Sequence, residues 1–163
     1  MAQDTEFNTL NRLIQVFESV AGRHKQINSF EAVVDGEIEA NEDMMYPALL
    51  VNPTGAVVPK TDNGFSSFAV DFKVVLVDLV QKDSSNGFEV LSDGLEVLKD
   101  IVNEFNTHPY YIESEFNIDN TLNFIPLHNK YTSEVSGWEV SITLLSPNRN
   151  TFCGAPLDNL VGF

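Results

Sequence analysis

The residues that could carry acid–base chemistry do not form an established catalytic motif. Asp78 lies within the apolar segment Val77–Leu79. A carboxyl group buried there would have a raised pKa and could act as a general acid. The alternative is that Asp78 lies at a strand end, in water or beside Lys82. The sequence leaves both interpretations open.

A second group of carboxylates could bind a cation. Asp35, Glu37 and Glu39 alternate along the chain, so their oxygens could reach a divalent ion. They lack the glycine-bearing twelve-residue pattern of a calcium loop. The favoured interpretation is a charged, solvated strand edge that deters unwanted strand pairing.

Nucleophile and metal motifs are also missing from the sequence. The histidines His24, His108 and His128 are far apart, and no H-x-x-x-H pair occurs. Cys153 could pair with one of them, but the favoured interpretation is an ordinary small apolar residue in the carboxyl-terminal tail. The chain has no phosphate-binding glycine loop, no G-x-G-x-x-G and no G-x-S-x-G. The sequence therefore predicts a protein without catalytic activity, metal or cofactor.

Four acids in one segment favour protein binding instead. Glu89, Asp93, Glu96 and Asp100 follow one another at helical steps of four, three and four. Like charges at this spacing weaken a helix by a few tenths of a kcal/mol per pair. The stripe is either a solvated face or a surface that docks on a basic neighbour.

Composition narrows the class of partner. The 163-residue chain has 24 Asp and Glu against 9 Lys and Arg, a formal net charge of −15. Such a surface repels nucleic-acid phosphates and attracts basic partners. One cysteine excludes an internal disulfide, and the amino-terminal residues do not resemble a signal peptide. No apolar run approaches the roughly 20 residues that span a bilayer, so no membrane association is expected.

Two helices are predicted from apolar periodicity. The first is marked by Phe7, Leu10, Ile14, Phe17 and Ala21. The second covers residues 87–105, with Asn86 and Glu89 as a capping pair. Its predicted core-facing stripe consists of Phe88, Leu91, Leu95, Leu98, Val102 and Phe105.

The strands complete an α+β fold. The clearest one contains Phe68, Val70, Phe72, Val74 and Leu76, and it ends apolar on both faces, as a central strand does. Other strands are predicted at residues 46–51, 137–145, 110–112 and 122–126, with an irregular one within 23–45. The order predicts a mainly antiparallel sheet with both helices on one face.

One domain, residues 1–147, carries two extensions that could reach a neighbouring subunit. The first is a long hairpin arm at about residues 53–65, which contains Val57, Val58 and Phe65. The second is an extended carboxyl-terminal tail, residues 148–163. Its apolar residues are Phe152, Leu157, Leu160, Val161 and Phe163. The acid stripe, the arm and the tail together are the predicted subunit interface.

The order of several short segments resembles that of small virion proteins of tailed bacteriophages. These proteins are of the tail-completion, tail-terminator or neck-ring (head–tail connector) kind, and the versions from phages of gut Bacteroides-type hosts are most similar. The resemblance covers roughly residues 24–156. The segments that carry it are His24–Ile27, Tyr46–Val51, Val77–Val80, Ser84–Asn86, Glu89–Asp93, Ser136–Val140 and Cys153–Pro156.

This resemblance implies a structural protein of the virion tail or neck, assembled in the bacterial host cytoplasm. Such proteins form closed homo-oligomeric rings, often six- or twelve-fold, between the portal or connector and the tail tube. DNA passes through the lumen without specific binding, and a negative lumen would suit that passage. The alternative function is a soluble acidic binding module or inhibitor that covers a basic protein surface.

Overall fold

Three helices and six strands make up the computed structural model, which describes residues 9–34, 43–62, 64, 67–81, 85–113, 115–128 and 134–147. In chain order the elements are α1 (Leu10–Arg23), β1 (Ser29–Ala32), β2 (Ala48–Val57), β3 (Ser67–Leu79), α2 (Gly87–Thr107), α3 (Pro109–Glu113), β4 (Asn117–Ile118), β5 (Phe124–His128) and β6 (Val135–Pro147).

The strands form a single sheet in the order β1-β2-β3-β6-β4. β3 pairs with β6 along its whole length, from Ser67 opposite Pro147 to Leu79 opposite Val135. β4 and β5 therefore share the other edge of β6, and they pair with different parts of it. Only β1 and β2 are parallel. The predicted α+β class with a mainly antiparallel sheet is confirmed.

β3 is the central strand, as its sequence predicts. Phe72, Val74 and Leu76 face the main core, whereas Val75 and Val77 face a second cluster on the other side of the sheet. All five side chains are buried. A strand paired on both sides and covered on both faces needs apolar residues at consecutive positions, which is the pattern seen after Lys73.

Both long helices pack on the same face of the sheet, which confirms the predicted layer. Phe17 of α1 meets Phe72 of β3 edge-on, with ring centroids 5.0 Å apart. It also meets Phe105 of α2 at 5.4 Å. These aromatic contacts join the two helices and the sheet in one core, at a geometry that aromatic pairs prefer.

The opposite face of the sheet carries a smaller apolar cluster. Its buried members come from β2, β3, β5 and the start of β6, and Val33, Met44 and Tyr46 pack against them. The cluster consists of Ala48, Leu50, Val75, Val77, Leu127 and Val135. Both faces of the sheet therefore exclude water at this end of β2 and β3.

The predicted core-facing stripe of α2 is correct at three of its six positions. The buried residues of this helix are Val90, Gly94, Val97, Leu98, Ile101 and Phe105, which include Leu98 and Phe105 of the predicted stripe. Val102 also packs against the core, although it is only partly buried. Phe88 is 91 % exposed. α1 shows a similar shift, because Leu13, Val16 and Val20 are buried while Leu10 is exposed.

Gly94 explains the rotation of α2. A methyl group added at Gly94 would lie 3.3 Å from Cδ1 of Trp138, so the absence of a side chain lets the indole pack against the helix. The indole N–H of Trp138 donates a 2.6 Å hydrogen bond to the Leu91 carbonyl. The indole N–H of a partly buried tryptophan usually finds such a partner, and this contact turns the Gly94 side of α2 toward β6.

Several predicted local features need correction. Residues 110–112 lie in α3 rather than in a strand, since Pro109 takes the first helical position that proline favours. Asn86 precedes α2 but makes no side-chain capping bond. Its Oδ1 instead accepts a 2.8 Å hydrogen bond from the backbone of Gln81. The predicted strand at 122–126 is confirmed as β5, two residues later along the chain.

The hairpin between β2 and β3 differs in length from the predicted arm. β2 continues to Val57, past Pro53, so the first five residues of the predicted arm are strand. The pairing shifts register between Pro53 and Gly55. A bulge is where a strand tolerates proline, because no ladder hydrogen bond is lost there. The connection ends in a small turn closed by a bridge between Thr61 and Gly64.

Candidate functional site

The acid stripe lies on the solvent side of α2, as predicted. Glu89, Asp93, Glu96 and Asp100 are all exposed. Nζ of Lys99 lies 2.9 Å from Glu96 Oε1, and Nε2 of His24 lies 3.4 Å from Asp100 Oδ2. These four acids are called the acidic face of α2 below. Glu96 therefore pairs with a lysine and Asp100 lies beside a histidine ring, whereas Glu89 and Asp93 have no ion-pair partner among the described residues.

A cavity of about 240 Å³ opens beside the acidic face. α2 forms one wall, the paired ends of β3 and β6 form another, and the segment before β1 completes the rim. The residues that line it are Lys25, Gln26, Asn28, Pro47, Leu76, Val77, Asp78, Val90, Asp93, Gly94, Val97, Ser136 and Gly137. Asp93 therefore belongs both to the acidic face and to this cavity, which is called the α2–β3 cavity below.

Asp78 is the electrostatically unusual carboxyl group of the cavity. Burial raises its pKa above the ordinary value, and the negative charge of Asp93 raises it further. The backbone N–H of Leu79 donates a 2.8 Å hydrogen bond to Oδ1 and opposes these effects. The perturbed carboxyl group anticipated from the sequence is thus present, with a second carboxylate near it.

Substituting Asp78 by asparagine is expected to stabilise the fold near pH 7. The folded state holds the Asp78 proton more tightly than the unfolded chain, so wild-type stability falls as pH rises from about 4 through the raised pKa. Asparagine cannot ionise. Urea unfolding of D78N and wild type should therefore differ at pH 7 and converge toward pH 4. A difference that is independent of pH, or a less stable D78N at pH 7, would contradict this assignment.

The predicted arm exposes apolar side chains to solvent. Residues 54–58 are exposed, and Val57 and Val58 retain 57 % and 49 % of their accessible surface. Of the other predicted interface residues, Phe65, Phe152, Leu157, Leu160 and Phe163 lie outside the residues that the structure describes, as does the whole tail. The structure thus places the arm and the acidic face, but not the tail.

The other candidates for chemistry do not converge. His24 follows α1, His108 follows α2, and His128 ends β5. Asp35, Glu37, Glu39, Lys82 and Cys153 lie outside the described residues. Across the described ranges, no group of three or more His, Cys, Asp or Glu could hold a metal ion. Within the same ranges, no helix is long and apolar enough to cross a membrane.

A cationic groove between α1 and α3 escaped prediction. Arg12, Arg23, Tyr110 and Tyr111 line a cavity of about 360 Å³. Arg12 lies over the Tyr110 ring, 5.8 Å from its centroid. Arg23 bonds to the Tyr111 hydroxyl at 2.9 Å and forms an ion pair with Glu104. The residues that contact the two guanidinium groups are far away in sequence. The local sequence around each arginine therefore could not predict this groove.

The chain matches no protein-family model and has no significant match among curated proteins.

Proposed function

We propose that the protein is a structural subunit of a tailed-bacteriophage virion that assembles into a ring at the head–tail junction or the tail end. The observation that carries this proposal is the β2–β3 hairpin, whose far end exposes Val57 and Val58. Two adjacent exposed valines at the end of a hairpin form a small apolar surface that a neighbouring subunit could cover.

Charge supports the same proposal. The net charge of −15 opposes nonspecific binding of DNA, which suits a ring through which DNA passes. A head-to-tail interface that closes on itself joins two different surfaces of each subunit. The acidic face of α2 and the arginine groove between α1 and α3 are surfaces of opposite charge on one molecule. Such complementary surfaces would favour one orientation of neighbouring subunits.

Reversing charge on the acidic face is expected to weaken assembly without unfolding the subunit. We expect the double variant E96K/D100K to self-associate roughly tenfold more weakly, equal to about 1.4 kcal/mol, because a favourable contact becomes a like-charge contact. The two pairs lost, with Lys99 and His24, are exposed, and pairs of this kind contribute about 0–1 kcal/mol. Sedimentation velocity over a concentration series would measure the association.

The matched control is E31K/D119K. It makes the same change in net charge, at exposed acids on β1 and directly after β4, away from the acidic face and from the arginine groove. If both double variants weaken assembly equally, total charge and not the acidic face is responsible. If E96K/D100K assembles like wild type while remaining folded by circular dichroism, the acidic face is not part of the interface.

The second candidate function is an acidic binding module or inhibitor that covers a basic protein surface. The specific observation in its favour is the α2–β3 cavity, where Asp78 and Asp93 have no cationic partner among the described residues. This function needs a stable monomer, whereas the ring needs an oligomer. The solution mass therefore separates the two functions.

A further inference from the structure

We propose that the α2–β3 cavity binds the guanidinium group of an arginine side chain supplied by another protein molecule. This inference goes beyond the ring, because it concerns a pocket on the single subunit and holds for either proposed function. It rests on the shape of the cavity, on two carboxylates without cationic partners and on the Ser136 hydroxyl group, which lines the cavity and makes no hydrogen bond to a described residue.

The two carboxylates of the cavity lack the partners that other acids of this protein have. Glu139 pairs with Lys73 at 3.1 Å, and Asp71 accepts a 2.6 Å hydrogen bond from the Thr143 hydroxyl. In the described part of the chain, neither Asp78 nor Asp93 has an ion pair, although Lys25 lines the same cavity. The negative charge of Asp93 helps to raise the pKa of Asp78, and a bound cation would offset that repulsion.

Ser136 adds a third polar group to the cavity. The residue is only 5 % exposed and lines the cavity. Its hydroxyl group makes no hydrogen bond to any residue that the structure describes. Among those residues, the buried side-chain atom left without a partner is Oγ of Ser146, so the Ser136 hydroxyl is open to the cavity and can accept a hydrogen bond from a ligand.

The residues that line the cavity favour an arginine side chain over a lysine side chain or a metal ion. Leu76, Val90 and Val97 give the cavity an apolar wall against which a methylene stem can pack. A guanidinium group is weakly hydrated and has five N–H donors, so it can bind two carboxylates at once. An ammonium group is a compact, strongly hydrated charge and gains less from a partly apolar pocket. Asp78 and Asp93 are only two carboxylates, and among the described residues they do not belong to a group of three or more potential metal ligands.

The experiment uses three blocked amino acids as probes of the full-length protein. N-acetyl-arginine amide, N-acetyl-lysine amide and N-acetyl-norleucine amide present a guanidinium group, an ammonium group and an apolar stem on the same backbone. Each is titrated into the ¹⁵N-labelled protein, and the amide signals of Asp78, Asp93, Ser136 and Gly137 are followed. We expect saturable shifts with the arginine probe and at least tenfold weaker binding of the other two.

Two variants locate the binding. D78N and D93N should each weaken the arginine probe at least tenfold, while E96Q, on the same helix but outside the cavity, should bind like wild type. The spectra themselves report whether each variant is folded. Equal shifts with norleucine, or unchanged binding in both D78N and D93N, would overturn the proposal.

Two further outcomes would also overturn it. Lysine binding as tight as arginine binding would contradict selection of a guanidinium group. Much tighter binding of free arginine than of the blocked amide would indicate a small-molecule site and not a docking site for a protein side chain. Arginine binding is measured on the single subunit, so the result does not depend on ring assembly. A negative binding result would not contradict the proposed ring, and the absence of a ring would not contradict arginine binding.

Discussion

Replacing Gly137 by alanine is expected to lower the free energy of unfolding by about 3 kcal/mol or more. A Cβ atom at this position would lie 1.8 Å from the Leu76 carbonyl oxygen and 2.9 Å from Val77 Cα. Both are backbone atoms of β3, so no side-chain rotation relieves the clash. The pairing of β3 with β6, which is the longest in the sheet, would have to separate locally.

Gly22→Ala is the matched control for Gly137→Ala. Gly22 lies in α1, and a Cβ atom there would meet no heavy atom within 4 Å. Alanine in a helix is favoured over glycine by roughly 0.5–1 kcal/mol, so this variant should be slightly more stable than wild type. Urea unfolding of both variants measures the difference. A Gly137→Ala protein within about 0.5 kcal/mol of wild type would mean that β3 and β6 approach each other less closely than described.

The second large effect is expected for Phe72→Ala, with a loss of about 3–5 kcal/mol. The Phe72 ring is fully buried at the centre of the sheet. It contacts Phe17 of α1, which in turn contacts Phe105 of α2. Removing the ring leaves a cavity at the point where both helices meet the sheet, and the surrounding side chains can fill it only in part.

Phe88→Ala removes the same atoms from a solvent-exposed site and serves as the control. Phe88 is 91 % exposed, so its truncation should change stability by no more than about 0.5 kcal/mol. The two variants also test the rotation of α2, because the apolar periodicity of the sequence places Phe88 in the core. Comparable losses in both variants would support that periodicity and contradict the orientation of the helix described above.

Local patterns predicted most of the fold. The alternation in β3 and β6 and the periodicity of the two long helices depend on neighbouring residues, so the fold class and the central position of β3 followed from them. The features of the fold that the sequence did not predict depend on contacts between residues far apart in the chain. The face of α2 that packs on the sheet is selected by Trp138, which is 44 residues after Gly94 in the chain. The parallel pairing of β1 with β2 also has no local signal.

The candidate site shows the same division. The acidic face is a property of one helix, and helical spacing predicted it. The α2–β3 cavity is formed by α2, β3, β6 and the segment before β1. Because its lining residues come from four separate segments, no local sequence pattern predicts it. The sequence did identify Asp78 as a carboxyl group that burial could perturb. It could not show that Asp93 and Ser136 lie in the same cavity, because the three residues belong to three different elements.

The ring is tested most directly by the molar mass of the purified protein in solution. Multi-angle light scattering at low and moderate salt should give a defined multiple of the 18.2 kDa subunit mass. The oligomer should weaken at higher salt if the acidic face contributes, because salt screens exposed charges. A mass of one subunit at every concentration and at both salt levels would contradict a self-assembling ring and favour the binding module.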